Sequence, residues 1–526
     1  MHKITKLSAV ALFGAITMVV STACGGPKAS FTMWTGFGSS YTMFLEKLTS
    51  YELDKKSIKI DHSSKGSYDN LQKAINESIP TLDYPTIANG YPDHFASYIR
   101  TQIQIPLNDY IARYDQEHGT NLLEDYYSDY MKENETLAYK SDGTPYVMGL
   151  PFNKSTELLG YNGYFVDYAK QEGVITEMPK TWQEWAEKGQ DLRELQLNMC
   201  GKYLHGKKSE DGTASDMVLN TVSTGDDILL DMSLVEPTNS RLMSWDASDN
   251  MFITIVRQWG STYTTYTAED AKQKDPHGYI EFYTEANKAK TIAALEFFNT
   301  LFGDKQQASA TYTPDYKSQI FGLPANFGGL YSSDAFKANQ VMFTVCSSGG
   351  LSYNTGGTQR FRVAPIPFYK AEESGQMVQR KYVISQGTNL ALFDQGSEDV
   401  KQKAFDAIVD FTTGELQAAW VVDTGYFPAS KSATQCESYK NMINSTDYSN
   451  ATVVAYRESN KVNDDYYMKD GEGWEKFVDP GFVGSSKIRS TCKDILSSVF
   501  NHVGIDQTYD QILQDACNVL KDYVRK

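Results

Sequence analysis

The stretch from Leu416 to Ala433, LQAAWVVDTGYFPASKSA, changes its character half-way along. Up to Val422 its apolar residues have the spacing of an amphipathic helix. The helix should end at Gly425, because glycine readily adopts the left-handed conformation past a helix end and Pro428 cannot continue the helix. An aromatic residue, Tyr426, directly follows this stop. The local pattern therefore predicts where the helix ends. It does not indicate the role of Tyr426.

Length and charge limit the possible classes of protein. The chain has 526 residues, whereas a single core stops growing at roughly 250–300 residues, so we expect more than one core. The net charge of −17 argues against a nucleic-acid partner, because phosphate contacts need clustered Lys and Arg. The 35 tyrosines offer flat apolar faces with polar tips, which suit sugars as well as ordinary interfaces.

The N-terminus has the pattern of an export signal. A basic start leads into an apolar run, Leu7 to Val20, which is shorter than the about 20 residues of a membrane span. Cys24 stands where cleavage would occur, which resembles a bacterial lipoprotein signal, although Ser21 replaces the usual Leu. We predict a signal peptide over 1–23 and a lipid-anchored tether over 24–30; a plain secretory signal with a chance Cys24 is the alternative.

Helix and strand patterns alternate along the mature chain. Helical spacing occurs in NLQKAINESI (70–79) and in SEDVKQKAFDAIVDFTT (397–413), where Ser397 is a candidate N-cap. Short apolar runs predict strands, and the mixture indicates an α/β fold with largely buried sheets. The charged stretch 458–477 is interpreted as a solvated loop or an insertion, with Asp464 and Asp470 at the surface. These strand-like runs are QVMFTVCSS (340–348), FRVAPIPF (361–368) and YVISQGTNLALF (382–393).

The five cysteines after Cys24 indicate neither a zinc site nor a full disulfide framework, since they are odd in number and none falls in a C-x-x-C pair. One disulfide stays possible, and the sequence does not name the pair. After Cys24 the cysteines are Cys200, Cys346, Cys436, Cys492 and Cys517.

Catalytic motifs are missing from the sequence. There is no G-x-S-x-G, no H-E-x-x-H and no phosphate loop, and GFGSSY (36–41) lacks the third glycine of a dinucleotide site. We therefore predict no catalytic residue, no cofactor and no metal. A secreted, lipid-anchored glycosidase that uses an Asp/Glu pair is the alternative from a different class.

Three segments together resemble the extracellular solute-binding proteins of carbohydrate ABC importers, which include the maltose-binding type. The first is GLPFNKSTELLGYNGYFVDYAKQEGVITEMPKTWQEW (149–185), although Gly160 replaces a large apolar residue. The second is VMFTVCSSGGL followed by FRVAPIPF. The third is the opening stretch from Trp420 to Ala433. The resemblance runs from about Phe31 to the C-terminal helix and is weakest around 200–320.

The resemblance implies a periplasmic-binding-protein-like (Venus-flytrap) α/β fold, in which two lobes close over a ligand. Lobe 1 would contain 31–148 and 386–424, and lobe 2 would contain 149–385 and 425–526. Three hinge crossovers would then lie near Met148–Pro151, Ile384–Gln386 and Thr424–Pro428, which places Tyr426 at the mouth of the cleft. Simple packing is the alternative role for Tyr426.

The same resemblance implies a set of ligand-binding residues. Aromatic rings would stack on sugar C–H faces, and polar side chains and glycine-exposed backbone would bind the hydroxyls. Core or turn roles are the alternatives, especially for Trp34, Trp259 and Asp93. The predicted ligand-binding residues are Trp34, Tyr91, Asp93, Asn153, Ser155, Trp259, Ser347, Ser348, Gly349, Tyr426 and Arg489.

The expected function is that of a monomeric receptor on the outer face of the bacterial cytoplasmic membrane, which delivers its ligand to ABC permease subunits. The ligand would be a sugar or oligosaccharide. The alternative is glycerol 3-phosphate or a glycerophosphodiester, because Arg489 could meet hydroxyls or a phosphate. The sequence does not choose between them.

Overall fold

Strands and helices alternate through most of the chain. A computed structural model of the protein describes residues 30–209, 211–223, 227–273, 276–303, 315–329, 331–357 and 360–525. The export signal and Cys24 lie outside the described residues. The strands are β1 (Phe31–Thr35), β2 (Ile60–Ser64), β3 (Ile87–Gly90), β4 (Leu150–Asn162), β5 (Tyr203–Lys208), β6 (Ala214–Asn220), β7 (Ile228–Asp231), β8 (Arg241–Trp245), β9 (Thr264–Thr265), β10 (Tyr279–Ile280), β11 (Phe321–Gly322), β12 (Val341–Ser347), β13 (Phe361–Ala364), β14 (Tyr369–Glu373), β15 (Gln376–Leu392) and β16 (Trp474–Phe477).

The helices include both predicted ones. The Ser397 side chain accepts from the N–H of Val400 and caps its helix, as predicted, and Gly425 ends another with φ 78°. The helices are α1 (Tyr41–Asp54), α2 (Tyr68–Ser78), α3 (Pro92–Arg100), α4 (Asn108–His118), α5 (Leu122–Asp125), α6 (Ser128–Glu135), α7 (Gly163–Gln171), α8 (Trp182–Met199), α9 (Ser248–Gln258), α10 (Ala268–Ala271), α11 (Lys288–Phe302), α12 (Ser332–Lys337), α13 (Glu398–Thr412), α14 (Gly414–Thr424), α15 (Lys431–Gln435), α16 (Glu437–Asn444), α17 (Ala451–Val462), α18 (Ser485–His502) and α19 (Tyr509–Leu520).

One large sheet runs through the molecule in the order β11-β8-β12-β4-β15-β3-β1-β2, while β13 pairs with β4 and both β14 and β16 pair with β15. Its outer strands pair in parallel, for example β1 with β2 and β8 with β12. The two central strands, β4 and β15, are antiparallel to each other. Two small separate sheets have the orders β6-β5-β7 and β10-β9.

Three passages of the chain meet at the centre of this sheet. Ser155 of β4 pairs with Gln386 of β15, and the N–H of Phe427, just past α14, donates to the carbonyl of Lys154 at 2.7 Å. The Lys154 side chain is fully buried, forms an ion pair with Glu133 of α6, and donates to a backbone carbonyl of β15. The predicted crossover segments or their direct continuations therefore lie side by side.

The buried apolar residues form three clusters. Two of them combine residues from Phe31 to Phe152 with residues from Leu390 to Trp420. The largest combines residues from Leu158 to Ile384 with Ala418, Val421 and residues from Ala433 to Leu520. More than one core was expected from the chain length, and this prediction is confirmed.

The stretch 458–477 differs from its prediction as a solvated loop. Helix α17 continues to Val462 and β16 begins at Trp474. The loop prediction is wrong there, because Val462, Tyr467 and Phe477 pack into the largest cluster. Asp464 and Asp470 are exposed, as predicted.

The five described cysteines are free thiols, so no disulfide joins any pair of them. Within the described residues, no helix combines the length and the apolar character that crossing a membrane requires.

Candidate functional site

A cavity of about 310 Å³ opens where the N-terminal part of the chain faces the C-terminal part. Tyr91 and Asp93 line one wall, Asp249 and Arg489 line another, and Gln386 of β15 lies between them at the junction of the three chain passages. A cavity of this size is in the range, roughly 300–1,000 Å³, that small ligands occupy.

The start of α3 builds the first wall. Tyr91 is the N-cap residue of this helix and Asp93 lies in its first turn, where a carboxylate is favoured by the free backbone N–H groups. Oδ1 of Asp93 accepts from the N–H of His94 at 3.0 Å. The Tyr91 ring packs edge-on against Tyr68, with centroids 5.1 Å apart. This wall presents one carboxylate beside aromatic surface.

Arg489 of α18 dominates the opposite wall. Its Nε donates to Oδ2 of Asp249 at 3.0 Å, and its Nη1 lies 3.8 Å from Oδ2 of Asp479. Burial lowers the pKa of Arg489, but the Asp249 and Asp479 carboxylates outweigh it and raise this pKa above its usual value. The guanidinium is therefore charged and already compensated by two acids.

Asn250 connects Arg489 to the centre of the sheet. Its Oδ1 accepts from Nη2 of Arg489, and its Nδ2 donates to Oε1 of Gln386 at 2.7 Å. Glu157 of β4 accepts from Nε1 of Trp245 at 2.8 Å. Burial raises the pKa of Glu157 to about 8, so this carboxyl group is mainly protonated at neutral pH.

Acidic groups outnumber cations in the cavity. Asp93, Asp249 and Asp479 line it, and burial raises the pKa of Asp479. Among the described residues that line the cavity, Arg489 carries the only guanidinium, and Lys493 is an exposed amine. The site can thus donate and accept hydrogen bonds without presenting a net positive charge to a ligand.

Asn153 and Ser155 lie at the central strand crossing, outside the walls of the cavity. Both are buried. The Asn153 side chain accepts from Nε1 of Trp420 at 2.7 Å, and Ser155 pairs with Gln386 through the backbone. The structure places these two predicted residues next to the cavity and gives them contacts within the fold.

The glycine-rich loop after β12 packs against Tyr426. Ser347 accepts from the N–H of Gly349 at 3.3 Å, and the Ser348 side chain accepts from the N–H of Thr156 at 3.3 Å. A Cβ atom on Gly349 would overlap the Tyr426 ring. Burial raises the pKa of Tyr426.

The two predicted tryptophans lie away from the cavity. Trp259 is buried, with its ring 5.1 Å from Phe297 and 4.9 Å from Tyr369, and these are the contacts of a core residue. Trp34 is partly buried in β1, and the amine of Lys65 lies 3.7 Å from its ring centroid.

The sequence model of the bacterial extracellular solute-binding protein family matches residues 48–450. The chain belongs to this family. A comparison with curated protein sequences gives no significant match.

Solved structures agree with the family assignment at the level of the fold. The solute-binding protein is similar to UgpB from Mycobacterium tuberculosis in complex with glycerophosphocholine, with 16% identity, 94% of this chain and 97% of that chain covered, and a TM-score of 0.62. It is similar to an ABC substrate-binding protein from Listeria monocytogenes in complex with cycloalternan, with 12% identity, 94% of this chain and 98% of that chain covered, and a TM-score of 0.63. It is also similar to the sugar-binding protein MalE from Xanthomonas citri, with 14% identity, 94% of this chain and 97% of that chain covered, and a TM-score of 0.60. The predicted periplasmic-binding-protein-like α/β fold is confirmed.

Several cavity residues of this solute-binding protein were absent from the sequence prediction. Asp249 and Asn250 lie in the first turn of α9, which follows β8, and Asp479 follows β16 and precedes a proline. A polar residue at a strand end was the signal that indicated Asp93, and the same signal occurs at these positions.

Proposed function

We propose that this solute-binding protein is the receptor of an ABC importer and captures a sugar or an oligosaccharide in the cavity beside Arg489. The observation that carries the proposal is the pairing of Arg489 with Asp249, with Asp93 and Asp479 close by. Carboxylates and a planar guanidinium bind hydroxyl groups with defined geometry, and a neutral polyol does not disturb their charge balance.

Similar structures support this ligand class. The Listeria monocytogenes protein is in complex with cycloalternan, and a related maltose-binding domain from Bdellovibrio bacteriovorus is bound to maltotriose. Tyr91 and Tyr263 add aromatic surface to the polar groups of the cavity. Rings beside carboxylates suit the apolar C–H faces and the hydroxyl edges of a sugar.

A glycerophosphodiester is the second candidate, because UgpB from Mycobacterium tuberculosis is in complex with glycerophosphocholine. The charges favour the sugar. A phosphate bound to Arg489 would also meet Asp249 and Asp479, and like charges at close range are repulsive. Either ligand is compatible with a binding protein of this family.

The proposed receptor has two lobes whose boundaries lie near the three chain passages. We assign 31–148 and 386–424 to one lobe, and 149–385 and 425–526 to the other. Most residues of the two smaller clusters fall in the first set and most residues of the largest cluster fall in the second, which supports this division; Leu150, Phe152, Ala418 and Val421, near the chain passages, pack with the other set. The cavity is lined by residues of both sets, and closure there would trap a ligand.

The cellular setting is part of the proposal. Export by residues 1–23 and lipidation of Cys24 would hold a monomeric receptor at the outer face of the membrane, where it can meet permease subunits. An extracellular location is what the family description states. We further propose that the receptor does not hydrolyse its ligand.

The test is a thermal-shift screen of the purified protein with mono- and oligosaccharides, glycerol 3-phosphate and glycerophosphocholine, followed by calorimetry on the compounds that raise the melting temperature. We expect stabilisation by a sugar, and chromatography should recover that sugar intact. Stabilisation by glycerol 3-phosphate or glycerophosphocholine alone would show that the ligand is a phosphate ester and not a sugar. Cleavage of the sugar would show that the protein is a glycosidase and not a receptor.

A further inference from the structure

Lys476 joins the two proposed lobes beside the junction of the three chain passages. It lies on β16, which pairs with β15, and its amine donates to Oη of Tyr130 on α6 at 2.9 Å. The same amine donates to Oδ1 of Asn463 at 3.0 Å. Tyr130 belongs to the first lobe, whereas Lys476 and Asn463 belong to the second. The amine therefore forms a hydrogen bond that runs from one lobe to the other.

Aromatic rings and neutral oxygens surround this amine. It lies 4.6 Å from the ring centroid of Tyr130 and 5.5 Å from that of Phe427, which is in the third chain passage. The amine of Lys154 lies 5.6 Å from the same Tyr130 ring. The buried carboxylate nearby, Glu133, forms its ion pair with Lys154. Two amines thus share one ring, and the carboxylate between the lobes is bound to the other amine.

The protonation of Lys476 depends on these surroundings. Its pKa is lowered from the ordinary 10.5 to about 7, mainly by burial. The Lys154 ammonium acts in the same direction, and the carboxylates of Asp129, Asp464 and Glu133 oppose both effects. Burial disfavours the charged form of an amine, and contact with water restores it. Any movement that hydrates this amine therefore favours its protonation.

We propose that Lys476 is a proton-operated switch between a joined and a separated arrangement of the two lobes. In the joined arrangement of this structure, the amine packs against Tyr130 and Phe427 and is held without a proton above about pH 7. Separation of the lobes breaks the hydrogen bond to Tyr130 and lets water reach the amine, which then binds a proton. The inference rests on the two-lobe receptor proposed above and adds a regulation of its closure, in which acid favours the separated lobes.

The direction of the pH effect follows from the two pKa values. Between about pH 7 and pH 10.5 the separated form holds a proton on Lys476 that the joined form lacks, so a rising pH favours the joined form. The equilibrium constant changes by at most about tenfold per pH unit. Below about pH 7 both forms hold this proton, and Lys476 no longer shifts the equilibrium.

The first test follows the protonation of Lys476 directly. The protein is labelled with lysine that carries carbon-13 at Cε, and the NMR signal that disappears in Lys476→Met is titrated. We expect its midpoint to lie at least about one pH unit below that of the exposed Lys469. Equal midpoints for the two lysines overturn the proposal.

The second test measures the radius of gyration by X-ray scattering without a ligand, at about pH 7 and about pH 9.5. We expect the wild type to be more compact at the higher pH. Lys476→Met carries no charge and should be compact at both pH values, whereas Lys476→Arg keeps its charge and should be extended at both. Lys469→Met removes an exposed lysine of the neighbouring turn and should respond as the wild type does.

Two scattering results contradict the switch. They are a wild-type radius that is the same at both pH values, and a Lys476→Met variant that responds as the wild type does. Circular dichroism checks that each variant is folded, and Lys476→Arg compared with Lys469→Met decides the question if Lys476→Met does not fold. Because no ligand is present, a failed sugar screen with an intact pH response removes the proposed ligand and leaves the switch. A successful screen without a pH response removes the switch alone.

Discussion

Arg489 and Asp249 form a hydrogen-bonded ion pair across 3.0 Å at the wall of the cavity, and this pair determines how the cavity can bind a ligand. The guanidinium is oriented by Asp249, by Asn250 and by the nearby Asp479. The charge of the guanidinium is already compensated by these acids. It therefore binds a ligand mainly through hydrogen bonds from its oriented N–H groups.

Arg489→Lys tests this view of the cavity. Lysine keeps the charge but loses the planar array of donors, so we expect sugar affinity to fall at least about tenfold, or about 1.4 kcal/mol, in calorimetry. Lys493→Gln, at an exposed amine of the same cavity, is the control and should change sugar binding by less than about twofold. Wild-type affinity in Arg489→Lys would mean that the ligand binds elsewhere. A ligand held by charge alone would lose little affinity for the Arg489→Lys variant at low salt.

Gly349→Ala tests the contact between the glycine loop and Tyr426. The new Cβ would overlap the Tyr426 ring, so we expect a loss of about 1–3 kcal/mol of unfolding free energy and weaker ligand binding through the displaced ring. Gly350→Ala is the control, because its nearest contact is an ordinary 3.8 Å to Tyr353. Thermal unfolding and calorimetry on both variants give the comparison, and equal behaviour of the two would disprove the steric argument.

The buried pair of Lys154 and Glu133 should stabilise the junction of the three chain passages. Lys154→Met leaves Glu133 unpaired at a buried position, which we expect to cost about 3–5 kcal/mol in urea unfolding. Adding Glu133→Leu should recover much of this loss. The control is Lys132→Met, which breaks an exposed pair with Asp129 and should cost less than about 1 kcal/mol. Similar losses in the two single variants would contradict the assignment.

Glu157→Gln should alter the pH dependence of stability. The pKa of Glu157 is raised by burial from its ordinary 4.5 to about 8, so the folded state holds this proton where the unfolded state releases it. Its stabilising contribution is complete below about pH 4.5 and is lost as the pH rises toward 8, with a slope of at most about 1.4 kcal/mol per pH unit. The glutamine variant should lack this component in urea unfolding between pH 5 and 8. Glu46→Gln, at an exposed position of α1, should keep the wild-type slope.

Cys24→Ser tests the proposed anchor. The small residues before Cys24 at the end of a short apolar segment motivate lipidation at this cysteine. We expect the native protein to incorporate labelled fatty acid and to sediment with membranes, and the variant to be unlabelled and soluble. Equal solubility and no label in either form would leave a plain secretory signal as the explanation.

The fold was largely predictable from short segments. The strand over 341–347, the cap at Ser397 and the helix end at Gly425 all follow from local spacing and backbone preference, and the structure contains each of them. The approximate positions of the chain passages followed from the same kind of local pattern, combined with the resemblance of three segments to one family.

The cavity was only partly predictable, because its chemistry joins residues that are far apart in the sequence. The predicted residues Tyr91, Asp93 and Arg489 line the cavity, but the pairing of Arg489 with Asp249 and Asp479 depends on how α9, α18 and β16 pack. The role of Trp259 could not be predicted from its sequence context. Its local pattern is the same for a stacking platform and for a core residue, and only the surrounding rings decide between them.

The shared core of the N-terminal region has a consequence for how the protein is made. Residues near Phe31 and Phe44 bury their side chains against Phe405 and Trp420. A nascent chain therefore cannot complete this core until synthesis has reached Trp420, and contacts of such long sequence separation form slowly. We expect the emerging chain to stay unfolded long enough to be threaded through a secretion channel, and to fold only after it has arrived outside the cell.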